Sequence, residues 1–246
     1  MSSTPTNETT ESQAAPAVRQ EKGAKLAVIG AGAVGSAVAY ASVIKGVARE
    51  YAIYDIFESK AKAEALDIAQ GSQFTPVASV EGSGDPAVMK DADIVVITAG
   101  AKQKPGQSRL DLAGATIDIM RKILPTAVEQ APNAIFLMVA NPVDVVTYAG
   151  LQISGMSPDR FFGSGTVLDS SRLRNLVAQH CGVAPQTVHA YIAGEHGDSE
   201  PADHRRHPLH VFVADPELHE LHGRRPDDRR DDRRRAGRAQ AVPRQA

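Results

Sequence analysis

The feature that most constrains this chain is a glycine run, Gly30-Ala31-Gly32-Ala33-Val34-Gly35, set directly behind the apolar segment Lys25-Leu26-Ala27-Val28-Ile29. Near-continuous apolar character over so few residues reads as a strand buried on both faces. The small, apolar residues that follow, to about Ile44, read as a helix. In this G-x-G-x-x-G spacing each glycine has its own task. Gly30 permits a tight turn, Gly32 lets the backbone approach a pyrophosphate, and Gly35 lets the helix pack close to the strand. The start of the helix then offers free N–H groups and a positive dipole end to an anion.

The alternation continues along the chain. Glu50 to Asp55 reads as a second strand, and Glu58 to Gln70 as a helix with Ala61, Ala65, Leu66 and Ala69 at its apolar positions. Asp93 to Ala99 and Ala134 to Ala140 are further clear strands, and Val77 to Glu81 is a weaker one. A Gly/Pro loop, Gly100 to Ser108, and a long helix from about Asp111 to Gln130 separate the two clear strands. Phe161 to Gly163 is a short apolar element. Leu168 to Gln179 reads as a helix that Gly182 ends. Val188 to Ile192 has strand character and runs into the turn Ala193-Gly194-Glu195-His196-Gly197-Asp198. Apolar strands alternating with helices predict an α/β fold, a doubly wound parallel sheet covered on both faces.

Asp55 ends the second strand, where an acidic side chain can accept from a ribose 2′-OH and would repel a 2′-phosphate. The glycine run and Asp55 together predict a Rossmann-type dinucleotide domain that takes NAD rather than NADP. The net charge of −2 over 246 residues argues against a nucleic-acid partner. Cys181 is the sole cysteine, which excludes an intramolecular disulfide and suits a reducing, cytoplasmic setting. Residues 1–22 are polar, with no apolar core of a secretory signal, and read as a disordered extension. No apolar run reaches membrane-spanning length, and no His or Cys spacing suggests a metal site.

Four later segments carry polar groups at strand ends and in loops. They are Thr98-Ala99-Gly100-Ala101 with Gln103 to Arg109, Asn141-Pro142-Val143-Asp144, Gly165 to Arg172, and Gly194-Glu195-His196-Gly197-Asp198-Ser199. Singly each has a bland reading: a solvated loop histidine, an i,i+3 surface ion pair, an Asn-Pro turn. Taken in order behind the glycine run, residues 25–200 resemble the lactate/malate dehydrogenase family. The resemblance implies an oxidoreductase of glycolysis or fermentation, with an NAD-binding domain over 23–163 and the start of an α+β substrate domain over 164–200. It implies cofactor contacts at Gly30, Gly32, Val34, Gly35, Asp55, Thr98, Ala99, Gly100 and Asn141.

The resemblance also assigns catalytic roles. His196 is the proton donor to a 2-keto acid, fitting for a side-chain type that exchanges protons near neutral pH. Asp169 orients its imidazole. Arg172 forks onto the substrate carboxylate. Arg109 brings a cation to the polarised carbonyl as its loop closes, and Asn141 hydrogen-bonds the substrate oxygen. Gln103 faces the substrate's side group. A neutral side chain there leaves a second carboxylate without a counter-charge, which favours pyruvate and L-lactate over malate or other 2-hydroxy acids. Arg174 and His189 match positions that bind a fructose 1,6-bisphosphate activator in bacterial members, making an allosteric homotetramer the family expectation.

After Glu200 the composition changes. The remaining residues hold 11 of the chain's 18 arginines and 5 of its 8 histidines but no lysine, a skew foreign to a continuing domain. Residues 201–246 therefore read as an atypical, disordered tail and the substrate domain as truncated. A shifted reading frame in a GC-rich gene is one expected source of the skew, and a solvated, disordered end of mixed Asp/Arg charge is the bland one. Plausible codons for Ala202 to Pro208, read one base later, yield a Thr-Ile-Gly-Gly run of the family's kind, and the gene's actual codons decide the matter. A chain so altered is expected to bind NAD weakly and turn over little substrate, as a non-catalytic fragment or pseudoenzyme would.

Overall fold

The structure, a computed structural model, describes residues 23–102, 106 and 109–196. Gln103, the N-terminal extension over 1–22 and the tail over 201–246 lie outside the described residues. Six strands form one parallel sheet: β1 (Lys25–Ile29), β2 (Glu50–Tyr54), β3 (Ser79–Ser83), β4 (Ile94–Ile97), β5 (Ile135–Met138) and β6 (Phe161–Gly163). Their spatial order is β3-β2-β1-β4-β5-β6, every neighbouring pair parallel. Helices α1 (Ala33–Lys45), α2 (Glu58–Gln70), α3 (Arg109–Gln130) and α4 (Val143–Ser154) connect strands, and α5 (Val167–Cys181) follows β6. The order reverses between β1 and β4, and it is there that such sheets open a crevice for a ligand.

Alternation within single strands divides the core into two layers. Ala27 and Ile29 of β1 face α3 and α4, joining Val95, Ile97, Met120, Leu124, Phe136 and Val146. Leu26 and Val28 face the other way, onto Val43 of α1 and Ala61, Ala65 and Ile68 of α2. Both layers exclude water from central strands, which is why Leu26–Ile29 and Ile94–Ile97 are apolar at every position. Phe136 of β5 and Phe161 of β6 stack with ring centroids 6.1 Å apart and close the far end of the first layer.

The differences from the sequence-based expectations have local causes. On α2 the buried stripe is Ala61, Ala65 and Ile68, while Leu66 lies 59% exposed and Ala69 is half-buried. Positions 61, 65 and 68 repeat at helical spacing, and Leu66 sits about 100° round from Ala65, off that stripe. The third strand of the edge lies at Ser79–Ser83 rather than 77–81, in register with β2 from Glu50↔Ser79 to Tyr54↔Ser83. Helix α4 has no counterpart among the expected elements. Its Val143, Val145, Val146 and Thr147 are β-branched and Gly150 is a poor helix former, so intrinsic preference opposes it. Burial of Val143, Val146 and Gly150 against the sheet outweighs that preference.

Helix α5 is expected and present, capped by Gly182 at φ 70°. Only Ser170 and Ala178 on it are buried, and its apolar Val167, Leu168 and Leu176 are exposed. Val188–Ile192, expected as a strand, forms none in the described structure. Side chains of α5 take its backbone groups instead of a ladder. Ile192 N donates to Ser170 Oγ at 2.9 Å, Thr166 Oγ1, beside α5, donates to Ile192 O, and Arg174 Nε donates to Ala190 O at 2.8 Å. Ala178, Val188 and Ala190 make a small separate core with Leu173 and Val177.

Candidate functional site

The crevice begins at the glycine turn. Gly30 has φ +106°, and a Cβ there would meet Ala99 N at 2.8 Å. At Gly35 a Cβ would lie 1.9 Å from Gly30 O, so only glycine lets α1 start this close to the turn. Gly32 differs: its backbone is extended, at φ −80° and ψ 177°, and a Cβ would meet nothing within 4 Å. The fold makes no demand for glycine at that position. What a Cβ there would obstruct is the open space in front of the helix N-terminus.

Neighbouring side chains hold this turn in place. Asp55 Oδ2 accepts from Ala31 N at 2.8 Å and Oδ1 from Phe57 N at 3.0 Å. A carboxylate offers about four lone-pair sites, so these bonds leave acceptor capacity for a ligand's hydroxyls. Thr98 Oγ1 lies 3.1 Å from both Ile29 O and Gly30 O, binding the turn from below. Fully buried Thr116 accepts Ala101 N at 3.2 Å through its hydroxyl and ties the next loop's root to α3. Burial raises the Tyr54 hydroxyl above the usual tyrosine range, and the carboxylates of Asp55 and then Asp85 add to the shift.

A cavity of about 700 Å³ runs along these groups, within the size range of ligand pockets. Every residue expected to touch the cofactor lines it: Gly30, Gly32, Val34, Gly35, Asp55, Thr98, Ala99, Gly100 and Asn141. Ile56 and Phe57, both about two-thirds exposed, form an apolar wall with Ile119 and Ile123 of α3. Sequence alone does not single out these four, because apolar residues at i,i+4 on a helix, or after a strand, read as core. Turn, helix start, acid and apolar wall together fit a dinucleotide.

A second cluster gathers around α5. His196 Nδ1 lies 2.6 Å from Asp169 Oδ2, with both side chains about three-quarters buried. An ionised carboxylate only accepts, so Nδ1 carries the proton and Nε2 is left for a ligand. The other oxygen, Asp169 Oδ1, pairs with Arg172 Nη1 at 3.5 Å, while the Arg172 side chain is 64% exposed. His196 N also donates to Asp144 Oδ2 at 2.7 Å, an interaction the sequence did not single out. Arg109 is the first residue of α3. Arg174 lies over the Tyr191 ring, 4.3 Å from its centre, and donates to Ala190 O; His189 is exposed, and no hydrogen bond joins it to Arg174 among the described residues.

Residues 24–163 match the family model for the NAD-binding domain of lactate/malate dehydrogenases, and residues 166–211 match that family's alpha/beta C-terminal domain. The chain belongs to the lactate/malate dehydrogenase family. Its cofactor is therefore NAD, and the cavity at the β1/β4 reversal has the matching chemistry. An L-lactate dehydrogenase of Bifidobacterium animalis subsp. lactis is 60% identical over 179 residues, 73% of this chain and 56% of that protein. One from Kosmotoga olearia is 48% identical over 178 residues, 72% of this chain and 55% of its own length. The chain thus spans about half the length of the curated relatives it matches. A solved structure, the minor L-lactate dehydrogenase of Enterococcus mundtii, superposes with a TM-score of 0.74 at 36% identity, covering 83% of this chain and 64% of that one. The C-terminal match reaches past Glu200, where the arginine-rich composition begins. Among the described residues no helix is long and apolar enough to cross a membrane.

Proposed function

We propose that this chain carries the chemistry of an NAD-dependent L-lactate dehydrogenase, reducing pyruvate to L-lactate in the cytoplasm. The observation that carries the reading is the His196–Asp169 pair at 2.6 Å, linked through Asp144 to the α4 start three residues beyond Asn141 of the cofactor cavity. When bound, the reduced cofactor supplies the hydride. Residues 23–163 would hold it: the helix start offers N–H groups to phosphates, Asp55 acceptor oxygens to ribose hydroxyls, and Ile56, Phe57, Ile119 and Ile123 an apolar wall to the base. His196 donates the proton to the oxygen that becomes the hydroxyl, and Asp169 stabilises the imidazolium formed before transfer. Arg172, paired only loosely with Asp169, is available to the substrate carboxylate. Arg109 and Asn141 polarise the carbonyl, and Gln103 admits a methyl group in preference to a second carboxylate. Arg174 and His189 suit a bisphosphate activator in a tetramer of the family kind.

A second reading has its own support. Helix α5 carries Asp169 and Arg172 yet buries only Ser170 and Ala178, so the groups that must be held to within about half an ångström are thinly backed. On that reading the chain, with residues 164–200 as the start of a substrate domain, binds NAD and turns over little. NADH fluorescence titration of the purified chain, run beside pyruvate- and oxaloacetate-dependent NADH oxidation, separates the readings. NADH binding with pyruvate preferred over oxaloacetate supports the first. Binding with no turnover selects the second, and absence of NADH binding defeats both.

A further inference from the structure

We propose that Asp144 is a positioning residue for His196, holding the proton donor to the cofactor half of the molecule. The proposal rests on His196 being that donor. Asp144 lies in the first turn of α4, at the end of a helix where negative charge is favoured. Its Oδ2 takes the backbone N–H of His196 at 2.7 Å across 52 residues of chain. The ring of the same residue is held at Nδ1 by Asp169 of α5 at 2.6 Å. One histidine is therefore fixed at two points by carboxylates from two different elements.

The two carboxylates do different work. Asp169, Ser170, Thr166 and Arg174 all bind the 190–196 segment to α5 or its start, so they make histidine and helix move as one unit. None of those bonds sets where that unit sits relative to the cavity. Asp144 does: Val143 beside it is buried in the main core, and Asn141 three residues back lines the cavity. Without the hydrogen bond to Asp144, His196 keeps its Asp169 partner but drifts from the cofactor edge. The expected signature is a lower rate of proton delivery with cofactor affinity intact.

The test measures amide hydrogen exchange at His196 in the full chain, for the native protein, Asp144→Asn and Asp144→Ala, with NADH titration and thermal midpoint alongside. Loss of a charge-assisted bond predicts exchange about tenfold to a hundredfold faster in Asp144→Ala. Asp144→Asn, which keeps a neutral acceptor, should fall between, with NADH affinity within about twofold in both. The ring nitrogen signals of His196 should shift in the same order. Unchanged His196 exchange in both variants overturns the proposal. So does a loss of NADH affinity with His196 exchange unchanged, which would make Asp144 a helix-start residue alone. The exchange result stands without turnover: a His196→Gln chain that still reduces pyruvate would defeat the proton-donor assignment and leave the Asp144 hydrogen bond established.

Discussion

Gly32 and Gly35 look alike in the sequence and differ in what they answer to. A methyl at Gly35 collides with the carbonyl of Gly30, which is backbone and has nowhere to go. Gly35→Ala should therefore cost about 1–3 kcal/mol or more and shift the thermal midpoint down. A methyl at Gly32 meets nothing in the protein, so Gly32→Ala should stay within about 1 kcal/mol of the native stability. It should weaken NADH binding by about tenfold or more, because the methyl stands where the phosphates approach. Equal effects of both changes on stability would contradict this division. Tyr54 gives a pH-dependent test. Its folded-state pKa is raised by burial, then by Asp55 and Asp85, so the folded state holds the proton more tightly than the unfolded chain. Stability should be unaffected by this group below its ordinary value of 10.0 and fall as pH rises from there through the raised value. Tyr54→Phe should flatten that alkaline decline in a series of thermal melts.

At the level of elements, α4 and α5 share weak intrinsic preference and differ in packing. The residues of α4 are poor helix formers, yet the helix is buried along one face and touches both α3 and β6. Helix α5 also carries middling helix formers, Ser170, Ser171, Asn175 and Val177, and ends at a glycine cap, but most of its surface is exposed or half-buried. What α5 does hold is the 188–192 backbone, through Ser170. Ser170→Ala should leave Ile192 N without its partner and cost about 1–3 kcal/mol locally. Faster exchange over 188–192 with no change on the strands of the sheet is the expected result; uniform change across the chain would show that α5 and the sheet unfold together. The failed expectation of a strand at 188–192 belongs here too. Alternating apolar residues mark a segment that buries one side, and Val188 and Ala190 do so. Burial of one side does not require a ladder, and here α5 side chains occupy the backbone groups a neighbouring strand would use.

In the molecule as a whole, a firmly packed sheet domain holds the nucleotide cavity, and the lightly packed segment from α5 to His196 is tied to it through Asp144. The nucleotide crevice was legible from residues alone because glycine spacing and a strand-end acid are local signals with local causes. Residue order also sufficed for the family: the resemblance read from residues 25–200 agrees with the family-model matches over 24–163 and 166–211. Three things needed the tertiary structure. Ile56, Phe57, Ile119 and Ile123 become a cavity wall only once α3 crosses the strand ends. Ile68 rather than Leu66 enters the core because the sheet approaches α2 from that side. Asp144 meets His196 across 52 residues, a distance over which sequence carries no geometric information. The glycine run that opens the fold therefore determined a dinucleotide turn by itself, through sterics within a few residues. What holds His196 to the cofactor half was decided by packing between elements far apart in the chain.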